Sequence, residues 1–140
     1  YKLTSADIDK FIAFGVTATN AYGDTVAYGV VPGKVVSAPI LSRPSTFSGT
    51  AKSGRTLTSS LGTWVGTAKI TYKYQWMRCT TTYKAATSKG AKCSAISGAS
   101  KSTYKLATAD VGKFVRLVVT ATNAYGKFEW HTATSGKVSK

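Results

Sequence analysis

The feature that most limits how this chain can fold is an internal repeat. Residues 1–37 align without a gap on residues 104–140, at an offset of 103 residues, and 18 of the 37 aligned pairs are identical. The shared blocks are YKLTSADIDKF against YKLATADVGKF, followed by VTATNAYG in both copies. A period near one hundred residues is the size of one small β-sandwich domain. The repeat therefore predicts that the chain holds parts of two equivalent units.

Composition and apolar spacing predict an all-β fold. Hydrophobic residues make up 43% of the chain and charged residues 17%, with Thr, Ser, Val, Tyr and Gly between them, which suits half-buried strand surfaces. Residues 69–79 and 113–123 alternate between apolar and polar positions with the period of a strand. We expect Trp76 to anchor the core from the first of these strands. In the second, the odd-numbered positions are expected to point inward: Val115, Leu117, Val119 and Ala121.

Shorter strands and their connections complete this prediction. Strands are expected at four further places, 46–52, 55–60, 103–106 and 127–134. The hairpin turn at 123–126 recurs at 20–23, where turn chemistry explains both asparagines. Residues 37–44 (SAPILSRP) contain two prolines, which predicts an extended, stiff connection between units.

The two predicted units differ in completeness. Residues 1–36 correspond to only the last three strands of a unit, whereas residues 37–140 make a complete one. Three strands with an apolar face are poorly stable without an opposing sheet. We therefore expect other strands to cover residues 1–36. They either precede this segment in the same polypeptide or come from another chain by strand addition.

Several motifs of the complete unit together resemble the immunoglobulin-like repeats of large secreted and surface proteins of actinobacteria. They are GTW at 62–64, YQWMRC at 74–79, CSAISGASKSTYKL at 93–106, ADVGKF at 109–114 and VTATNAYG at 119–126. The resemblance implies immunoglobulin-like antiparallel β-sandwich repeats in tandem and a secreted, extracellular or cell-surface setting. The resemblance says more about the fold and the setting than about any ligand. The family's Asp-x-Gly corner becomes Asp7-Ile8-Asp9 in the partial repeat, which leaves the tightness of that turn to be tested.

Cys79 and Cys93 are separated by 13 residues, too many for a CxxC redox or zinc motif. We predict a structural disulfide that closes the loop after the central strand. Its expected contribution is roughly 3 kcal/mol. The alternative is a pair of free buried thiols in a cytosolic protein.

Catalysis is not expected, because the complete unit has only three side chains suited to it outside the cysteines: Asp110, Glu129 and His131. Asp110 belongs to the corner motif, where it should shape the turn. Glu129 and His131 lie two apart on one strand, which predicts an exposed cross-strand salt contact more than a functional pair. We expect no cofactor and no metal. Without a run of about 18 apolar residues, the chain predicts no membrane segment.

The charge balance is strongly basic, with 19 Lys plus Arg against five acidic residues and a formal net charge of +14. Such a surface attracts anionic polymers. Two interpretations stay open: the lysines keep a repeat protein soluble and stop strand edges from pairing, or they bind a selected anionic partner. The excess of lysine over arginine, 15 to 4, argues against bidentate recognition of bases or phosphates.

The repetition and the proline-bearing connector favour a structural role. We expect repeats that form a filament, stalk or surface layer, with neighbouring repeats or identical chains as partners. The alternative is an adhesion module that binds anionic polymers or glycans, with Tyr83, Phe128 and Trp130 as exposed contact aromatics. Phe128 and Trp130 replace Thr25 and Ala27 of the first copy, so the fold does not demand them. They are equally candidates for contacts between neighbouring repeats or chains.

Overall fold

The regular structure of the chain is almost entirely strand. The computed structural model describes residues 1–85 and 92–140, which form eleven strands and two short 3-10 turns, at Ser5–Asp7 and Thr108–Asp110. The strands are β1 (Ala13–Asn20), β2 (Gly23–Val30), β3 (Ile40–Arg43), β4 (Thr46–Ser48), β5 (Thr56–Ser60), β6 (Thr63–Val65), β7 (Thr71–Cys79), β8 (Cys93–Ala95), β9 (Thr103–Lys105), β10 (Phe114–Asn123) and β11 (Gly126–His131).

Among the described residues, every pairing between these strands is antiparallel, and one isolated parallel bridge joins Lys52 to Ser139. The largest sheet has four strands in the order β11-β10-β7-β8, and a second sheet has three in the order β4-β5-β9. Strands β3 and β6 form a separate pair, as do β1 and β2. The predicted all-β class is confirmed, and the antiparallel sheets are consistent with a β-sandwich.

The core lies between the three-stranded and four-stranded sheets. Trp76 of β7 is 0% exposed, it lies opposite Leu117 of β10, and its ring meets Phe47 of β4 edge-on at 5.3 Å between centroids. The predicted inward positions of β10 are all fully buried: Val115, Leu117, Val119 and Ala121. The alternation of apolar residues therefore identified the core-facing positions of β10 correctly. The prediction that the even positions point outward is wrong for Arg116 and Val118, which are 1% and 7% exposed.

Residues 37–44 are predicted to form an extended connection, and part of this segment also pairs as a strand, which the sequence did not predict. Ile40–Arg43 is a strand that pairs with Thr63–Val65, with an irregular register between Leu41 and Arg43. The two prolines lie outside the four residues of β3, so every residue of this strand retains the backbone N–H that pairing requires. Strands β6 and β8 had no sequence prediction, because three residues are too few to show a period.

Residues 1–36 form a hairpin that stands apart from these sheets. Strands β1 and β2 are in continuous register from Ala13 opposite Val30 to Asn20 opposite Gly23. Within the described residues, these two strands pair only with each other. Large apolar side chains of β1 are exposed, among them Phe14 and Val16. The apolar face expected for this segment is therefore present and is uncovered in this chain.

Candidate functional site

A buried carboxylate occupies the corner before β10. Asp110 is 0% exposed, and it accepts hydrogen bonds from Arg78 Nε, the Tyr104 hydroxyl and the Ala107 N–H, each at 2.7 Å. A buried carboxylate is stable only when donors or a cation replace the water that it loses. Asp110 therefore does more than shape the turn, because it also connects the corner to β7 and β9.

The charges at this corner shift the pKa values of its two side-chain donors. Burial and the hydrogen bond to Asp110 raise the pKa of Tyr104 to about 12. Burial alone disfavours the charged form of Arg78, but its hydrogen bond to Asp110 and their Coulomb attraction outweigh that effect and raise the pKa. At neutral pH the arginine is thus a cation and the tyrosine a neutral donor.

The first copy contains the same corner without the arginine. Asp7 accepts hydrogen bonds from the Tyr1 hydroxyl at 2.8 Å, from the Thr4 N–H at 2.7 Å and from the Thr4 hydroxyl at 3.0 Å. The backbone bond from Thr4 and the bond from Tyr1 lower the pKa of this carboxyl. Within the described residues the one ion pair joins Arg78 to Asp110. No arginine of the described chain therefore occupies the equivalent place at Asp7.

The turn after each aspartate keeps its shape although its third residue differs. Gly112 has φ of 78° and Asp9 has φ of 64°, both in the left-handed region. The Gly112 N–H donates to the Val138 carbonyl at 2.9 Å, and the Asp9 N–H donates to the Val35 carbonyl at 2.9 Å. The departure from Asp-x-Gly therefore leaves the turn as tight as in the second copy, at a conformational cost of about 1 kcal/mol.

The hairpin turn after β10 is hydrogen-bonded to Ser37, where the sequence analysis predicts that the second unit begins. The Asn123 amide donates through Nδ2 to the carbonyls of Ser37 and Thr67, both at 2.8 Å, while its Oδ1 accepts from the Tyr125 N–H at 2.9 Å. The Ser37 N–H also donates to Thr67 Oγ1 at 2.9 Å. We call Asn123, Ser37 and Thr67 the joint. Turn chemistry explains only the Oδ1 contact, so the sequence interpretation of this asparagine was incomplete.

Asn20 repeats the turn but not the joint. Its Oδ1 accepts from the Tyr22 N–H at 2.8 Å, which matches the contact made by the second asparagine. The Asn20 amide nitrogen makes no hydrogen bond to another described residue. The first copy therefore retains the hydrogen bond within the turn. It lacks the two hydrogen bonds from the amide nitrogen to residues distant in sequence.

Phe128 and Trp130 are half-buried and not exposed as predicted. The Phe128 ring meets Trp64 edge-on at 5.8 Å between centroids, and Trp130 Nε1 donates to the Ser45 carbonyl at 3.1 Å. Both rings cover the segments that precede the central strand, which explains why they lie inside the unit. Their role in contacts with other molecules stays a prediction.

The disulfide predicted between Cys79 and Cys93 is present. It joins the directly opposed ends of β7 and β8 and closes the loop that contains Tyr83. This tyrosine is also half-buried: its ring lies 5.5 Å from the Arg116 guanidinium carbon, and its carbonyl accepts from the Thr134 N–H at 3.0 Å. The expectation of an exposed Tyr83 is therefore wrong, because Tyr83 itself packs against Arg116 of β10 and bonds Thr134 after β11.

Glu129 and His131 lie two residues apart on β11 but differ in environment. Glu129 is exposed, whereas His131 is 3% exposed. The predicted exposed salt contact is therefore wrong, because the histidine lies inside the unit.

The described residues contain no group of three or more His, Cys, Asp or Glu side chains placed to hold a metal ion. Within the same residues, no helix has the length and apolar character that would cross a membrane. Comparison of the chain with protein-family models, with curated proteins and with solved structures found no match.

Proposed function

We propose that this chain is a section of an extracellular structural array, in which immunoglobulin-like sandwich repeats follow one another in tandem. Residues 1–36 are the last strands of one repeat and residues 37–140 are a complete repeat. The array serves as a filament, stalk or surface layer whose repeats act as stiff spacers.

The observation that carries this proposal is the joint. Asn123 Nδ2 bonds the carbonyl of Ser37, the first residue of the complete repeat, and at the same time bonds Thr67 within that repeat. Together with the bond from Ser37 to Thr67, these contacts hold the first residue of the complete repeat against the body of that repeat, so the connection to the preceding repeat starts from a fixed residue. Such a joint suits a stiff spacer, whereas a Gly/Ser linker would suit domains that move independently.

Two further observations support the setting and the role. A disulfide persists in oxidising compartments and is rare in the cytosol, so the Cys79–Cys93 bond supports an extracellular position. Asp110, the buried acid, is engaged by three donors in a structural contact. A general acid or base needs a carboxyl group that can reach a substrate, so this one supports a structural role.

The experiment is a set of concatemers of residues 37–139, with one to four repeats, measured by small-angle X-ray scattering. Stiff joints predict that the maximum dimension grows by a constant length per repeat. We expect Asn123→Asp in every repeat to weaken this proportionality, because aspartate keeps the turn acceptor and loses both donors. Thr122→Asp, an exposed neighbour, is the matched charge control. Growth of the dimension as the square root of repeat number in the unmodified concatemers would contradict the proposal.

A second candidate, an adhesion module for anionic polymers, rests on the position of the charges. Every lysine in the described part of the chain is exposed, so these cations are available to a polyanion. Retention on a heparin column that falls steeply between about 50 and 200 mM salt would support it. Absence of retention at the lower salt concentration would remove it.

A further inference from the structure

The first hairpin presents an apolar face whose residues are core residues in the second copy. We call Tyr1, Leu3, Ile12, Phe14 and Val16 the acceptor face. Four of them are exposed, at 94% for Tyr1, 51% for Leu3, 59% for Phe14 and 57% for Val16. Their equivalents 103 residues later all pack in or against the core of the complete unit: Tyr104, Leu106, Val115, Leu117 and Val119.

The structure assigns an occupant to this face: we propose that it receives a segment of the same type as residues 37–103, joined directly to Tyr1, which completes a second sandwich. This inference rests on the repeat organisation proposed above and deepens it by naming the partner of residues 1–36. The evidence is that the contacts absent from the first copy correspond to residues of that one segment.

The first copy lacks three contacts that residues of the 37–103 segment make in the second copy. Asp7 lacks the cation that Arg78 supplies to the second corner. Asn20 lacks the two carbonyl acceptors that belong to Ser37 and Thr67 in the joint. The ring of Tyr1 lacks the stacked indole that its equivalent finds at 5.8 Å in Trp76.

The register of the complete unit specifies the strand that β1 would accept. In that unit β7 pairs with β10 so that Trp76 lies opposite Leu117 and Arg78 opposite Val115. Transferred by 103 residues, the added strand runs antiparallel to β1, with an aromatic residue opposite Phe14 and an arginine opposite Ile12. The edge of β1 that faces away from β2 pairs with no other described strand, so its backbone groups are available for strand addition.

The way in which the segment joins follows from the period. Residues 103 and 104 are directly bonded, so a segment of the 37–103 type reaches Tyr1 without a linker. A second copy of this chain is a poorer occupant, because its own β7 is already paired with β10 and β8. It could supply these strands only by opening its own core.

The experiment adds a copy of residues 37–103 in front of Tyr1 of the full chain. We expect amide exchange in β1 to slow by at least about 100-fold relative to the original chain, because a hairpin with one open face is replaced by a strand inside a closed core. Binding of the dye ANS, which reports exposed apolar surface, should fall to a small fraction of its original level. Unchanged exchange and unchanged dye binding would overturn the proposal.

The arginine contact is tested within the extended chain. Asp7→Asn should speed β1 exchange at least about 10-fold, and so should Arg78→Gln in the added copy, while the double variant should do no more than either single one. Asp24→Asn, an exposed acid of β2, is the control and should leave exchange unchanged. Additive effects of the two single variants would show that they do not meet.

Sedimentation of the original chain tests the other possible occupant, a second copy of the same chain. If β1 becomes protected as protein concentration rises and the chain dimerises, a second copy covers the face and the proposal is wrong. Each of the two proposals can be contradicted without contradicting the other. Flexible concatemers with a protected β1 in the extended chain contradict only the stiff array, whereas stiff concatemers with an unprotected β1 contradict only the occupant.

Discussion

The two copies of the repeated segment share 18 of 37 residues, and their hairpins differ in what covers them. Phe14 of β1 is 59% exposed, whereas Leu117 at the equivalent place of β10 is 0% exposed. Both hairpins nevertheless have the same turn contact, from Tyr22 to Asn20 and from Tyr125 to Asn123. The comparison teaches that hydrogen bonds between near neighbours fix the shape of a hairpin, while the stabilisation from burial depends on residues far away in the chain.

The largest expected effect is a contrast between matched truncations. Leu117→Ala should lower the free energy of unfolding of the complete unit by about 2–5 kcal/mol, because it removes buried methyl groups and leaves a cavity. Phe14→Ala removes a larger side chain but should change that free energy by less than about 0.5 kcal/mol, since the ring is already exposed. Urea unfolding followed by Trp fluorescence measures both. Similar losses for the two variants would show that the hairpins are equally covered.

The next effect concerns the disulfide, which lies only in the complete unit. Cys79→Ala combined with Cys93→Ala should lower the free energy of unfolding by about 3 kcal/mol, as expected for a loop of this size. Reduction of the original chain should give the same loss, and the double variant should not respond to reductant. Thermal unfolding with and without dithiothreitol makes this measurement. A double variant as stable as the original chain would show that the loop is held by its packing instead.

A smaller contrast compares the two corners. Asp110→Asn should lower the free energy of unfolding by about 2 kcal/mol, because it leaves Arg78 without its anion, and this arginine is only partly buried. Asp7→Asn in the same chain should have a much smaller effect, since no arginine of the described residues reaches it. Urea unfolding of both variants checks this expectation. Equal losses would mean that Asp7 has a cationic partner as strong as Arg78.

The smallest expected effect is a pH dependence. The pKa of Tyr104 is raised from 10.0 to about 12 in the folded chain, so its stabilisation is complete below pH 10 and disappears as the pH rises through about 12. The free energy of unfolding of the original chain should therefore approach that of Tyr104→Phe over this range, by on the order of 1 kcal/mol. Denaturant titrations of both chains at pH 9 and 11.5 test the sign. A gap that widens with pH would contradict it.

Much of the framework could be predicted from the sequence. The alternation around Trp76 and along β10 identified the two strands and their core-facing residues, because a period of two is a local property of the chain. It did not show that Arg116 and Val118 on the other face of β10 are buried too. The disulfide between Cys79 and Cys93 was also predicted correctly. The short strands β6 and β8 were not predicted, since three residues show no period. Strand β3 was not predicted either, because prolines lie on both sides of it.

The candidate site was predicted less well, because its contacts connect residues far apart in sequence. The sequence assigned Asn123 to a turn, but only the fold brings Ser37 and Thr67 within reach of its amide nitrogen. It likewise predicted exposed aromatic residues on β11, which are instead half-buried. A strand pattern shows which face a side chain occupies without showing what lies over that face.

The sequence by itself determined the repeat, the strand faces, the turns and the basic charge, since each depends on residue identity and near neighbours. Only the tertiary structure decided which copy of the repeated segment is covered and which partners its aspartate and asparagine find. Side-chain burial and hydrogen bonding between distant residues arise only once the chain has brought those residues together, so identical local sequences have different environments in the two copies.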